Sequence, residues 1–358
     1  MTNLNDIFFD TRGRSDCPFQ VYIGGRGIGK TYSSLRNTIF EPDMKRKVPK
    51  VYDKFMYMRR MAKDIELCAS EISNPFKRIN RDHGSHLYAE FNRKNGYAVF
   101  KDDHLEFDID ILESYDDIEE IPEELGYAAA LSTFSGLRGV DFSDVTTIVF
   151  DEFIAESHVR RIKDEGKVFL NMYETVNRNR ELQGEPPVKV LLLANSISLA
   201  SGILLEIGAV PIIASMIAKG QSRATVKERG LYVELVDSKA IADLKNETAL
   251  YKLTKGTDFS KEAIMNQFTH DNLDLAKKVR INEYKPIFNF TDFTYYKHKS
   301  REEYYIAKRK DTAPVKFGSG DVDRLQTAFR YMYNTLVVNR KVYFDDYATK
   351  LVFDNILE

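Results

Sequence analysis

A chain of 358 residues with 43% hydrophobic and 30% charged residues has room for two or three cores and is too apolar to be a disordered polymer. Its formal net charge of −2 excludes a generally basic, nucleic-acid-coating protein, so contact with nucleic acid has to come from local patches. Cys17 and Cys68 form no metal or redox spacing, no apolar run approaches ~18 residues and the N-terminus lacks a signal-peptide layout, so a reduced, cytosolic chain without a membrane span is expected.

Residues 1–16 are polar and are expected to form an arm on the first domain. The apolar stretch Phe19–Ile23 reads as a strand and runs into Gly24-Gly25-Arg26-Gly27-Ile28-Gly29-Lys30-Thr31, which fits G-x-x-x-x-G-K-[ST] at every required position. A helix-compatible run, Tyr32–Phe40, follows. The glycines let backbone N–H groups curl around phosphate oxygens, and the helix start adds its positive dipole end. Lys30 is expected to reach the β- and γ-phosphates of ATP, and the Thr31 hydroxyl to ligate Mg²⁺.

Asp53–Arg60 reads as a second strand ending in Arg59 and Arg60, and Ala62–Ser73 has helical spacing. Phe76–Tyr97 is basic and interleaved with aromatic residues, with a strand pair around Tyr88–Phe91 and Tyr97–Phe100. Arg59, Arg60 and Lys63, with Lys77, Arg78 and Arg81, are candidates for contact with a DNA backbone; a solvated surface is the other reading. Residues 102–124 are densely acidic and read as a surface insertion. Ala128–Ser132 is a short apolar strand. The β-branched run Val145–Phe150 suits a buried parallel strand and ends in Asp151-Glu152. Val168–Leu182 reads as a helix containing Arg178 and Arg180, and Val188–Ala194 as another buried strand ending at Asn195. Ile203–Ile217 reads as a helix broken at Pro211, and Leu231–Val236 as a strand. Strands alternating with helices after a phosphate loop predict an α/β domain with a parallel sheet over 1–236. A polar helical linker domain is expected over 237–272. A small α+β domain is expected over 273–358, with strands near Phe288–Tyr295 and Tyr304–Ala307 and helices at Asp321–Tyr333 and Asp345–Leu357.

An apolar strand ending in Asp-Glu downstream of a complete phosphate loop is a Walker B element. Asp151 is expected to hold Mg²⁺ through water, and Glu152 to orient the attacking water, which points to hydrolysis rather than transfer to a second substrate. Asn195 either contacts the γ-phosphate or lytic water or is a turn residue after a strand. Arg178 and Arg180, or Arg138 in its glycine-flanked loop, have the charge to act on a neighbouring subunit's nucleotide; spacing leaves the choice open. Asp292, Asp311, Asp345 and Asp346 are available for two-metal cleavage, but none stands in a strand context that would converge them, so no nuclease activity is expected.

Five strings, GGRGIGKT at 24–31, FMYMRR at 55–60, TIVFDEFI at 147–154, VNRNRE at 176–181 and LANS at 193–196, occur in an order and spacing that resemble the DNA-packaging (encapsidation) ATPases of small podophages, the Picovirinae type. The resemblance covers most of the chain, is carried most specifically by Arg26 and TIVFDEFI, and is weak in the C-terminal part. It implies an ASCE-type ATPase domain, a linker domain and a C-terminal domain with a degenerate RNase H-like nuclease fold. It further implies a homopentameric ring at the portal (connector) of a procapsid, driving double-stranded DNA inward with a packaging RNA between portal and ATPase. The site would be the host cytoplasm and, transiently, the portal vertex, with the protein absent from the mature virion. By position, Arg178 matches the family's trans-acting finger and Arg138 a basic residue implicated in trans contacts. The competing readings are a terminase large subunit with an active nuclease, a P-loop helicase, and a nucleotide-gated scaffold that does not turn over.

Overall fold

The computed structural model describes residues 8–40, 54–70, 73–94, 96–102, 124–155, 159, 162–195, 199, 201–236, 239–257, 260 and 275–357. The acidic run lies almost wholly outside the described residues, as do 1–7 of the arm and 261–272 of the expected linker. Contacts divide the chain into two compact units, Met1–Glu206 with Gln221–Thr269, and Ile207–Gly220 with His270–Glu358. Residues 239–257 of the expected linker stretch lie in the first.

The first unit is built on β1 (Phe19–Gly24), α1 (Lys30–Ile39), β2 (Lys54–Arg59), α2 (Ala62–Cys68), α3 (Lys77–His83), β3 (Leu87–Asn92), β4 (Tyr97–Asp102), β5 (Glu124–Ala130), β6 (Val145–Asp151), α4 (Glu165–Asn177) and β7 (Lys189–Asn195). After α5 (Gly202–Glu206), and α6 (Val210–Lys219) of the second unit, it resumes with β8 (Arg223–Val226), β9 (Leu231–Leu235), α7 (Lys239–Asn246) and α8 (Ala249–Leu253). The sheet order is β3-β4-β5-β2-β6-β7-β1-β9-β8. From β5 to β9 all neighbours are parallel; the β3–β4 hairpin and β8 close the edges antiparallel. Strands buried on both faces must be apolar throughout, which is why VTTIVF and VLLLA carry so little polar alternation. Val149, Leu191, Leu193, Tyr22 and Tyr57 join one core with Leu35 and Ile39 of α1. Each large apolar side chain so buried contributes roughly 1.5–3 kcal/mol, holding the strand ends rigid. The strand β7 lies between the phosphate-loop strand and the Asp-Glu strand, the ASCE-type arrangement that the resemblance implies.

The arm packs as expected where it is described: the Phe9 N–H donates to Ile28 O at 2.9 Å, and Asp10 pairs with Arg36 of α1 at 2.8 Å. Two helices differ from the sequence reading. The expected helix through Arg180 stops at Asn177, because Arg178 and Asn179 both take left-handed backbone conformations, φ 39° and 61°. The expected broken helix is two helices, α5 and α6, with Pro211 in the first turn of α6, where its missing N–H costs nothing.

The second unit is a five-stranded mixed sheet of β10 (Tyr284–Phe290), β11 (Phe293–His298), β12 (Tyr304–Ala307), β13 (Val315–Phe317) and β14 (Val342–Phe344), in the order β13-β10-β11-β12-β14. Two helices, α9 (Val322–Val338) and α10 (Tyr347–Leu357), complete this α+β body, and α6 packs on α10. Pro286 sits at a register shift in β10, the place in a ladder where a residue without an N–H is tolerated. The core is aromatic: Phe288 stacks on Tyr295 with centroids 4.7 Å apart. Inside it, Asp354 accepts from the Tyr333 hydroxyl at 2.7 Å and pairs with Lys350.

Candidate nucleotide site

Parallel strands deliver their C-terminal ends to one edge of the sheet, and ligands of such sheets bind there. Register places Gly24 beside Asn195, and Asp151 beside Leu193, at that edge. The loop between β1 and α1 requires glycine at two points for different reasons. A Cβ on Gly24 would lie 2.8 Å from Ile28 and 2.9 Å from Val236, and Gly29 adopts φ +94° with Phe8 3.2 Å from where its Cβ would be. Lys30 then opens α1, so the helix N-terminus faces the loop.

The Lys30 ammonium is buried and donates to Gly24 O at 2.9 Å, Gly25 O at 2.8 Å and Asn195 Oδ1 at 3.3 Å. Burial lowers its pKa to about 8; Asp151 and Glu152 oppose the shift, whereas Lys245 and Arg26 add to it. The Thr31 hydroxyl donates to Asp151 Oδ2 at 3.0 Å. That oxygen also accepts from the Tyr57 hydroxyl at 3.2 Å and from Arg59 Nη1 at 3.3 Å. Burial, and then the Asp151 charge, push the Tyr57 pKa far up, so Tyr57 stays a protonated donor. Glu152 is the first residue beyond β6 and takes φ 51°, a conformation costly for a non-glycine residue and typical of functional sites. Its side chain is half exposed and accepts from Arg59 Nη2 at 2.5 Å.

Of these, Lys30, Thr31, Asp151, Glu152 and Asn195 line a cleft of about 440 Å³ with Phe8, Arg26, Gly27, Ile28, Gly29, Tyr32, Arg78 and Ala194. The volume lies within the range of small-molecule sites. A glycine loop with a buried ammonium, beside a hydroxyl hydrogen-bonded to a carboxylate, fits a nucleotide polyphosphate with its divalent cation.

Of the arginines expected to meet DNA, Arg59 instead bridges the Asp151-Glu152 pair, because β2 lies beside β6 and ends level with it. Arg60 points the other way; it is 4% exposed and pairs with Glu165 at 2.7 Å, so it is an interior residue rather than a surface one. Arg78 lines the cleft, its guanidinium 4.9 Å from the Tyr32 ring centroid and 5.0 Å from that of Phe8. Lys63, Lys77 and Arg81 are exposed on α2 and α3. The contacts of Tyr57 and Arg59 with the Asp151-Glu152 pair were missed because they arrive from a strand 94 and 93 residues away from the carboxylates they touch. The sequence signal was an arginine at the end of a parallel strand, usable only once the strand order is known.

The three trans candidates are absent from this chain's own cleft. The helix α4 runs back from the C-terminal end of β6 to the N-terminal end of β7, so Arg178 emerges at the opposite edge of the sheet. Its Nη1 reaches Asp141 Oδ1 at 2.9 Å and its Nη2 donates to Val140 O at 2.9 Å, which ties it to the loop that carries exposed Arg138. Arg180 is held by Ser143 O at 2.8 Å and Pro186 O at 3.2 Å. Buried Asn177 fixes the turn, its Oδ1 accepting the Val188 N–H at 2.9 Å.

A family model described as podovirus DNA encapsidation protein (Gp16) matches residues 121–299, half of the chain. The DNA packaging protein of Bacillus phage B103 is 26% identical over 268 residues, spanning 75% of this chain and 69% of that protein. The DNA packaging protein of Bacillus phage phi29 is 26% identical over the same length, spanning 75% and 67%. A solved structure of the bacteriophage Phi-29 viral genome packaging motor assembly superposes with a TM-score of 0.62 at 17% identity, covering 95% of each chain. One of the Phi-28 gp11 DNA packaging motor gives 0.59 at 19%, covering 95% of this chain and 93% of that one. At those identities the two structures speak for the fold, while the sequence match speaks for descent: the chain belongs to the podovirus DNA encapsidation protein family.

Proposed function

We propose that this protein is an ATP hydrolase that drives double-stranded DNA into a procapsid as a ring motor at the portal vertex. The observation that carries this reading is the cleft, in which a phosphate loop faces an Asp-Glu pair while the candidate finger lies outside it. Lys30 and the loop N–H groups bind the polyphosphate. Thr31 and Asp151 would hold Mg²⁺, which supplies charge neutralisation at the β- and γ-phosphates. Glu152 orients the water, Asn195 contacts the γ-phosphate side through the place it shares with Lys30, and Arg178 reaches a neighbour's nucleotide. A residue that cannot reach its own cleft contributes to catalysis only if a second subunit presents it, which supports the ring; five-fold stoichiometry, the portal and packaging RNA as partners, and the host-cytoplasm and portal-vertex location are part of this proposal, which family membership supports. The division into ATPase, linker and C-terminal domains at 236 and 272 belongs to the same proposal.

The C-terminal unit is proposed to lack nuclease activity. In it Asp292 pairs with Lys310 at 2.7 Å, Asp311 with Arg309 at 2.9 Å, Asp345 accepts the Lys308 N–H at 2.7 Å and Asp346 the Thr349 N–H at 2.7 Å. Four carboxylates with four separate partners do not form a two-metal site. Magnesium-dependent nicking of plasmid DNA by the full chain, abolished by Asp311→Asn, would restore the terminase reading.

The deciding experiment measures ATP hydrolysis against added double-stranded DNA, with and without procapsids, for wild type and Glu152→Gln. DNA-stimulated turnover that Glu152→Gln abolishes is expected. Strand separation of a forked duplex would favour a helicase, and ATP binding without turnover in an assembled ring a gated scaffold.

A further inference from the structure

The helix α7 brings one more cation to the phosphate loop. The Lys245 ammonium donates to the Arg26 carbonyl and lies 3.5 Å from the point a Cβ on Gly27 would occupy. Its stem passes the Tyr251 ring, the ammonium 5.5 Å from the centroid. Among the described residues its partners are thus a carbonyl and a ring rather than a carboxylate. Burial holds its pKa below the ordinary lysine value, and its charge is felt at Lys30. Arg26, Lys30 and Lys245 therefore converge on one loop, and the charges of Lys245 and Arg26 both weigh against the Lys30 ammonium, a field that an anion offsets. The N–H donors of a phosphate loop are shaped for such an anion.

We propose that Lys245 is a ligand of the nucleotide polyphosphate, delivered by α7 to the Arg26-Gly27 side of the loop. Occupancy of the cleft then fixes the position of the 239–253 segment, because the carbonyl that holds Lys245 gives way to a phosphate as its stronger, charged partner. This rests on the reading of the cleft as an ATP site.

The test titrates the full chain with a fluorescent MgATP analogue, for wild type, Lys245→Met and Lys245→Arg, and follows thermal unfolding of each with and without MgATP. Lys245→Met keeps the apolar stem and is expected to bind about tenfold more weakly, while Lys245→Arg keeps the charge and stays within about twofold of wild type. Without nucleotide, Lys245→Met unfolds no lower than wild type, and its MgATP-induced upshift shrinks. Wild-type affinity in Lys245→Met, or a Lys245→Arg defect exceeding that of Lys245→Met, overturns the proposal and leaves Lys245 a packing residue. Failure of the wild-type chain itself to bind MgATP overturns the reading of the cleft instead.

Discussion

Arg59 and Glu152 hold each other at 2.5 Å, and the same guanidinium reaches Asp151 at 3.3 Å. A carboxylate oxygen engaged in this way has one of its two acceptor positions taken and its charge partly neutralised, which weakens its hold on a water molecule. If Glu152 orients the water as proposed, this pair restrains it from a neighbouring strand. Replacing Arg59 by Ala is expected to raise ATP hydrolysis in the absence of DNA by about threefold or more and to flatten its stimulation by DNA. It should also destabilise the nucleotide-free fold by about 1–3 kcal/mol, because Asp151 is buried and loses a cation. Steady-state rates with and without DNA, and thermal melts, check both. An Arg59→Ala chain slower than wild type without DNA would mean that Arg59 assists the chemistry rather than restraining it.

The proposed roles, Glu152 on water and Lys30 on phosphate, predict that their losses separate. Glu152→Gln should lower turnover by about a hundredfold or more, with MgATP affinity within a few-fold of wild type. Loss of binding and turnover together would assign Glu152 to nucleotide retention.

Arg178 depends on its turn. Arg178→Ala subunits should be inactive alone, yet partly regain turnover when mixed with Glu152→Gln subunits, since each supplies what its neighbour lacks. Asn177→Ala should reproduce the Arg178→Ala defect and cost about 1–3 kcal/mol of stability, because the buried Val188 N–H loses its acceptor. Mixed rings with no activity above the sum of the separate variants would place Arg178 outside the neighbour's site.

Lys30 is expected to make nucleotide binding proton-linked. Burial holds its folded pKa at about 8 against an ordinary 10.5. Below about pH 8 the side chain is charged in both states and the folded chain bears the full cost of burying it; that cost is relieved as pH rises through about 8 to 10.5, where only the unfolded chain keeps the proton. Phosphate favours the ammonium, so binding at about pH 8 should take up about half a proton, and much less at about pH 6.5. Calorimetry in buffers of different ionisation enthalpy measures the difference, corrected for the nucleotide's own ionisation. Equal uptake at the two pH values would show that Lys30 is already fully charged in the empty loop.

Much of the site was legible because its parts are local. Eight consecutive residues specify the loop, since its glycines answer to backbone conformation and close packing, and the following helix begins at Lys30 itself. Asp151-Glu152 was legible for the same reason: a β-branched run must be buried, and whatever polar residues end it must emerge at its edge. The C-terminal meander and its two helices showed in alternation and amphipathic spacing.

What the chain order did not reveal was which strand lies beside which. The functional reading of Arg59 follows only from β2 pairing with β6, and the burial of Arg60 only from its pairing with Glu165 on α4. Likewise a helix would have turned Arg178 and Arg180 about 200° apart, to nearly opposite faces, whereas two left-handed residues leave one guanidinium at the loop of Arg138 and fasten the other to Ser143 and Pro186. Sequence alone thus determined that the chain holds a phosphate-loop motif and a carboxylate pair at the end of a buried strand, because backbone conformation and hydrophobic burial act between near neighbours. Tertiary structure decided which cations govern them, because charges interact through space, and residues far apart along the chain become neighbours only when the sheet is ordered.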